Sequence, residues 1–146
     1  MPSQLSFSSD ISTIDVETVH RWLSEESYWA RGRTREAHER AMAGSRNYGV
    51  FDAGDGRQLG YARAITDGAT FAWIADVFVD PESRGRGVGK RIMAGIIEDL
   101  EPLELKRVAL FTEDAHGLYE QFGFEQLTDP ESWMLRWGRG YGPSAV

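Results

Sequence analysis

Asp80-Pro81-Glu82-Ser83-Arg84-Gly85-Arg86-Gly87-Val88-Gly89-Lys90-Arg91 stands between an apolar strand pattern and an amphipathic helix pattern. Three glycines within five residues, Gly85, Gly87 and Gly89, let a backbone approach a ligand closely. Arg84, Arg86, Lys90 and Arg91 crowd eight positions of a chain whose formal net charge is -7. A glycine-rich turn that feeds a helix presents free N–H groups and a positive dipole end to an anion. The stretch predicts a phosphate or pyrophosphate site at a strand–loop–helix junction.

The elements on either side follow from periodicity. Thr70 to Val79 is almost wholly apolar and reads as a central strand that Pro81 ends. After the loop, Val88, Ile92, Met93, Ile96, Ile97 and Leu100 recur at spacings of three and four on one helical face. Upstream, Gln4 to Ser8 reads as a short strand, and Asp15 caps a helix to about Ser24. Glu25 to Gly32 reads as a loop, and Thr34 caps a second helix to about Ala43. Asn47 to Ala53 and Gln58 to Thr66 form a hairpin about Gly54-Asp55-Gly56, with a second turn at Asp67-Gly68. Downstream come a strand from Arg107 to Thr112 and a short helix from Ala115 to Gln121, closed by Gly123. Phe124 to Leu127 and Ser132 to Trp137 are predicted to close the sheet as an antiparallel pair. The order β-α-α-β-β-β-α-β-α-β-β predicts an α/β to α+β fold, a mixed sheet flanked by helices.

The 146 residues fit a single domain, with a mobile tail expected over 138–146. Acidic residues outnumber basic ones, 23 to 16, which argues against a nucleic-acid surface. No stretch has the apolar length of a membrane span, and the first residues lack a secretory pattern. A cytoplasmic protein is the expectation. The absence of cysteine excludes disulfides, thiolate metal sites and a cysteine nucleophile. His20 and His38 show no metal-ligand spacing, and no metal is expected.

Two common phosphate loops fail against the sequence. A Walker A loop needs glycine at 84 and a hydroxyl at 91, and both positions are arginine. A Gly-x-Gly-x-x-Gly fingerprint ends at Lys90 or Ile92. The pattern Arg84-x-x-Gly87-x-Gly89 instead resembles the pyrophosphate loop of the GCN5-related N-acetyltransferases, the GNAT superfamily. Ala115-His116-Gly117-Leu118-Tyr119-Glu120-Gln121-Phe122-Gly123-Phe124 is similar to that family's Ala-x-x-Leu-Tyr-x-x-x-Gly-Phe signature. The two motifs stand in the right order with the right element between them, and the resemblance covers most of the length. The resemblance is to a small single-domain member of bacterial type.

The resemblance implies acetyl-CoA as cofactor and direct transfer of its acetyl group to the amine of a small molecule. Arg84, Gly85, Arg86, Gly87, Val88, Gly89 and Lys90 would hold the pyrophosphate, with Lys90 or Arg91 reaching the 3′-phosphate. The backbone of Val77, Phe78 and Val79 would pair with the pantetheine, and an N–H at Val77 or Phe78 would meet the carbonyl oxygen. Tyr119 would protonate the sulfur. Trp73 occupies the position of a family glutamate base, so Asp76, the only carboxylate of Phe71 to Val79, is the candidate base. Glu25, Glu26, Glu113 and His116 are weaker candidates. Thr112 replaces a family asparagine near the cofactor. Glu26, Tyr28, Trp29, Arg31, Arg33 and Trp73 are the candidate acceptor residues. Arg31 and Arg33 suit an acceptor carboxylate, as in an amino acid.

Two other functions fit the same residues: a non-catalytic acyl-CoA-binding or regulatory module, and a protein or peptide N-acetyltransferase. A homodimer through the final strands is a further expectation, since Trp133, Met134, Leu135 and Trp137 would cover a sheet edge.

Overall fold

The computed structural model describes residues 4–142 of the chain. Five strands form one sheet in the order β1 (Leu5–Ser8), β2 (Arg46–Asp52), β3 (Gln58–Thr66), β4 (Phe71–Val79) and β5 (Arg107–Leu110). The first four are antiparallel, and β5 runs parallel to β4. The helices are α1 (Val16–Arg21), α2 (Arg35–Ala43), α3 (Val88–Leu100) and α4 (His116–Glu120). The mixed, mostly antiparallel sheet agrees with the sequence expectation.

Local chemistry sets the helix starts. The Asp15 carboxylate accepts from the Thr18 N–H, and the Thr34 hydroxyl accepts from Ala37 N–H. The first helix departs from expectation: α1 stops at Arg21 and widens into a π turn over Trp22–Glu26. That turn brings the following loop over the sheet.

Each face of the sheet buries its own apolar cluster. On one face, Val88, Ile92, Met93, Ile96 and Leu100 of α3 pack with Tyr48, Val50, Ala62, Ala64, Ala72 and Ile74. On the other, Val19, Trp22, Leu23 and Met42 from the α1–α2 side pack with Phe51, Tyr61 and Phe78. Gly60 lets α3 approach, because a Cβ there would lie 2.7 Å from Ile92.

His38 on α2 is buried beneath this second layer, with neither ring nitrogen hydrogen-bonded. Burial, helped by nearby His20 and Arg33, lowers its pKa from 6.5 to about 4. Between those values the unfolded chain binds a proton that the folded chain excludes. Stability is therefore expected to fall by about 3 kcal/mol as pH drops through that window. Urea unfolding from pH 7 to pH 4 measures the slope. His38→Leu, which sacrifices no hydrogen bond, is expected to flatten it; an unchanged slope would assign the loss elsewhere.

The predicted closing strands do not form. Residues 124–127 and 133–137 have no ladder partners, and Pro130–Ser132 makes a tight turn between them. No hydrogen bond joins residues 125–142 to the rest of the described chain. A hairpin with no further strand or helix to pack on is marginal in water. Of the predicted mobile tail, 143–146 lie outside the described residues. Within 138–142 a local turn closes through Tyr141 N–H on the Gly138 carbonyl. No helix among the described residues is long and apolar enough to cross a membrane.

Candidate active site

The site grows from an irregularity in β4. Tyr61 pairs with Phe78 and Arg63 with Ala75, so two steps along β3 match three along β4. The extra residue makes a β-bulge, centred on Asp76 at φ 55. It reverses which residues face which layer. Ala72 and Ile74 lie with α3, whereas Phe78 lies on the α1–α2 side and Val77 and Val79 turn towards α3.

The same strand separates from its neighbour. β4 pairs with β5 only from Phe71↔Arg107 to Ile74↔Leu110. Ala75 to Val79 have no strand on that side, so their backbone edge opens into a cleft. Val77, Phe78 and Val79 sit on that edge. The Phe78 ring is buried between Trp22 and Trp29, so only its backbone is offered to the cleft.

At the far end of the cleft the glycine loop enters α3. Gly85 and Gly87 hold φ of +86 and +81, and a Cβ on either would meet nothing within 4 Å. Their restriction is therefore the left-handed backbone, which L side chains rarely adopt. Gly87 is the N-cap of α3 and supplies no side-chain cap. The first N–H groups of a 13-residue helix thus point outward without a protein acceptor. Such a cradle fits a pyrophosphate. Lys90 is exposed at its rim. Arg84 lies over the Phe78 ring, 5.8 Å from its centroid. Arg86 pairs with Asp52 at 3.1 Å, and Arg91 stacks over Phe7, 5.1 Å from its centroid, away from the loop. The expectation that Arg91 reaches a phosphate meets this competing contact.

Between bulge and β5 lies a cavity of about 300 Å³ whose walls include Tyr28, Trp29, Arg33, Trp73, Asp76, Thr112 and Tyr119. Tyr119 is buried except for its access to this cavity, and its ring meets Phe124 edge-on. Burial, with the negative charge of Asp114, pushes its hydroxyl up to about 12. The hydroxyl therefore stays a proton donor throughout the physiological range. Thr112 Oγ1 accepts from Ala115 N–H at 3.0 Å and so shapes the turn into α4.

Asp76 is occupied rather than free. Arg33 reaches it at 2.7 Å and 3.3 Å, Arg63 Nε at 2.7 Å, and Trp29 Nε1 at 3.0 Å. Burial opposes ionisation, but the two guanidinium groups win and lower its pKa. A carboxylate so held is a poorer base than a free one, which weighs against the catalytic expectation. The same contacts brace the α1–α2 loop on the sheet, with His20 Nε2 2.7 Å from the Arg33 carbonyl oxygen.

The exposed side chains of Glu26 and Arg31 are not among the cavity-lining residues, a correction to two of the acceptor expectations. The loop turns after Trp29, and the Gly32 N–H bonds back to Ser24. The sequence reading also missed Arg63, Phe111 and Asp114, which line the cavity. Arg63 carried a signal: it is the one charged residue of Gln58–Thr66, set between Ala62 and Ala64. Among the described residues no cluster of His, Cys, Asp or Glu suits a metal ion.

The Acetyltransferase (GNAT) family profile matches residues 16–124, which carry this loop, bulge and helix. The chain belongs to the GNAT acetyltransferase family. A GNAT-family protein from Xanthomonas campestris pv. campestris has the same fold, with a TM-score of 0.86 and 41% identity over 94% of this chain and 95% of that one. GCN5-related N-acetyltransferase 1, chloroplastic, of Arabidopsis thaliana is 40% identical over 51% of this chain and 38% of its own length. An uncharacterized N-acetyltransferase of Porphyra purpurea is 37% identical over 51% of this chain and 42% of its own length. The matched GNAT segment thus spans about two fifths of those two relatives.

Proposed function

We propose that this GNAT protein transfers the acetyl group of acetyl-CoA directly to the amine of a small molecule. The observation that carries the reading is the free edge of β4, which has no strand beside it from Ala75 to Val79. One end of that edge lines the cavity that Tyr119 also lines, and the chain beyond the other end leads into the uncapped N-terminus of α3. When bound, acetyl-CoA supplies an activated thioester. The Gly85–Lys90 backbone would hold the pyrophosphate, and the edge from Val77 to Val79 would orient the chain that leads to the thioester. A backbone N–H at Val77 or Phe78 would meet the carbonyl oxygen as it gains charge. Tyr119 would give its proton to the sulfur as the C–S bond breaks, and the proton lost by the neutral amine as its C–N bond forms would restore the Tyr119 hydroxyl. With no cysteine in the sequence, no thiol can carry the acetyl group, which supports direct transfer.

The cavity also suggests the acceptor. Arg33 and Arg63 share one carboxylate, so the wall they form keeps a surplus positive charge. Asp114 lines the same cavity with the opposite charge. An amine that also carries a carboxylate, such as an amino acid, matches both.

Release of free CoA across amines, diamines, amino acids and short peptides tests the reading. Acceptor-dependent release is expected for small molecules, and its loss is expected in Gly87→Val through backbone strain at the cradle. Release with peptides alone would overturn the small-molecule assignment. Tight acetyl-CoA binding with no release to any acceptor would favour a binding module. Lysine is expected to exceed its decarboxylated diamine in kcat/KM by about 10-fold or more, the scale of one charge-assisted hydrogen bond. Arg63→Met should collapse that preference, while equal rates in the parent protein would remove the acceptor assignment.

A further inference from the structure

One carboxylate stands beside the loop that an anion would occupy. β2 ends at Asp52 and β3 starts at Gln58, while Val50 pairs with Gly60, which pairs in turn with Val79 at the end of β4. The β2–β3 hairpin and the glycine loop therefore leave the sheet at the same end. There Arg86 Nη2 meets Asp52 Oδ2 at 3.1 Å, with the Asp52 side chain only 10% exposed. A negative charge so near the start of α3 opposes a phosphate through space. Its presence calls for a compensating role.

Asp52 is itself firmly placed. Its Oδ1 accepts from the Gly54 N–H at 2.8 Å and the Asp55 N–H at 3.3 Å. Its own N–H donates to the Arg57 carbonyl at 2.9 Å, and its carbonyl accepts from the Gly56 N–H at 2.8 Å. Arg86, by contrast, sits between Gly85 and Gly87, whose φ values are +86 and +81. Glycine is the most permissive residue, so this turn does not hold its shape by backbone preference alone. On the upstream side Arg84 rests on the Phe78 ring, and downstream the helix begins. Within the turn, Arg86 carries the side-chain tie to the sheet.

We infer that Asp52 is a positioning residue for the cofactor: through Arg86 it sets the glycine turn in the shape that aims the first N–H groups of α3 at the pyrophosphate. The inference rests on the acetyl-CoA reading above. Arg86 then acts as a strut, and the backbone makes the phosphate contacts. A turn set before the cofactor arrives leaves less ordering to be done on binding.

Asp52→Asn keeps the Oδ1 acceptor for the hairpin turn and removes the charge. A carboxylate that merely repelled the cofactor, or held Arg86 back from it, would give tighter acetyl-CoA binding when lost. The strut predicts the opposite sign: a Kd raised about 10-fold in titration calorimetry, the scale of one charge-assisted hydrogen bond. Arg86→Met should weaken binding as much, and the double variant no more than either single one. The KM for acetyl-CoA should rise in parallel, with little change in kcat. In the cofactor-free protein, both single variants should speed amide hydrogen exchange over residues 84–90 and leave β3 unaltered. Arg86→Met, at a side chain 32% exposed, keeps this exchange test available should Asp52→Asn fail to fold. Unchanged or tighter binding in Asp52→Asn overturns the inference. Additive losses in the double variant overturn it as well, as does unchanged exchange over 84–90. A parent protein that binds acetyl-CoA but acetylates no acceptor overturns the transfer reading alone, since the binding and exchange results still judge the strut. A parent protein that binds no acetyl-CoA overturns both.

Discussion

Asp76→Asn is expected to lower the unfolding free energy by about 3 kcal/mol or more, the usual cost of breaking a buried ion pair from one side. The Asp76 side chain is 2% exposed, and Arg33 and Arg63 are 20% and 12% exposed, so water cannot replace the lost charge. Asparagine tolerates the left-handed φ of 55 and keeps the side-chain shape, so charge alone is tested. Two guanidinium groups then face each other without a counter-ion, and the α1–α2 loop loses its tether to β4. Urea unfolding at pH 7 measures the effect. A change below about 1 kcal/mol with a large loss of turnover would restore Asp76 as the base and reject the brace. The lowered pKa gives the matching pH dependence. The ion pairs stabilise the fold above the ordinary aspartate pKa and are lost as pH falls below it.

Tyr119→Phe is expected to reduce kcat by about 100-fold or more, within the range of general acid catalysis, while the Kd for acetyl-CoA changes by less than about threefold. The hydroxyl has no hydrogen-bond partner among the described residues, so phenylalanine keeps the packing against Phe124. The hydroxyl titrates near 12, so the donor form is fully present below that pH. The rate with an alkylamine should rise as the amine loses its proton and show no decline up to about pH 10. Stopped-flow or steady-state assays across pH test both points. Equal turnover of mutant and parent would remove Tyr119 from the chemistry. A basic limb near pH 8.5 that vanishes in Tyr119→Phe would show a hydroxyl far more acidic than its burial implies.

Much of this architecture was legible because it is local. The caps at Asp15 and Thr34, the α3 face and the glycine cradle each depend on residues a few positions apart. Tyr119 was found by its motif, and its burial was implied by its apolar neighbours. The part of Asp76 was not legible. Its partners Arg33 and Arg63 lie 43 and 13 positions away, and only the bulge turns all three to one face. Glu26 and Arg31 looked like acceptor contacts because they flank Tyr28 and Trp29, but adjacency in a loop does not fix direction.

The end of the chain shows the same division. Alternation from Ser132 to Trp137 specifies a strand-like segment with one apolar face, and it does so without reference to the rest of the molecule. Whether that segment becomes a strand depends on pairing with an edge, and among the described residues it makes no ladder. Sequence alone therefore determined the glycine-rich loop, the helices that frame it and the family to which they correspond. The tertiary structure decided which charges neutralise one another, which residues line the cavity and which apolar surface is left uncovered. Those outcomes depend on distances between residues remote in the chain, and a one-dimensional pattern does not contain them.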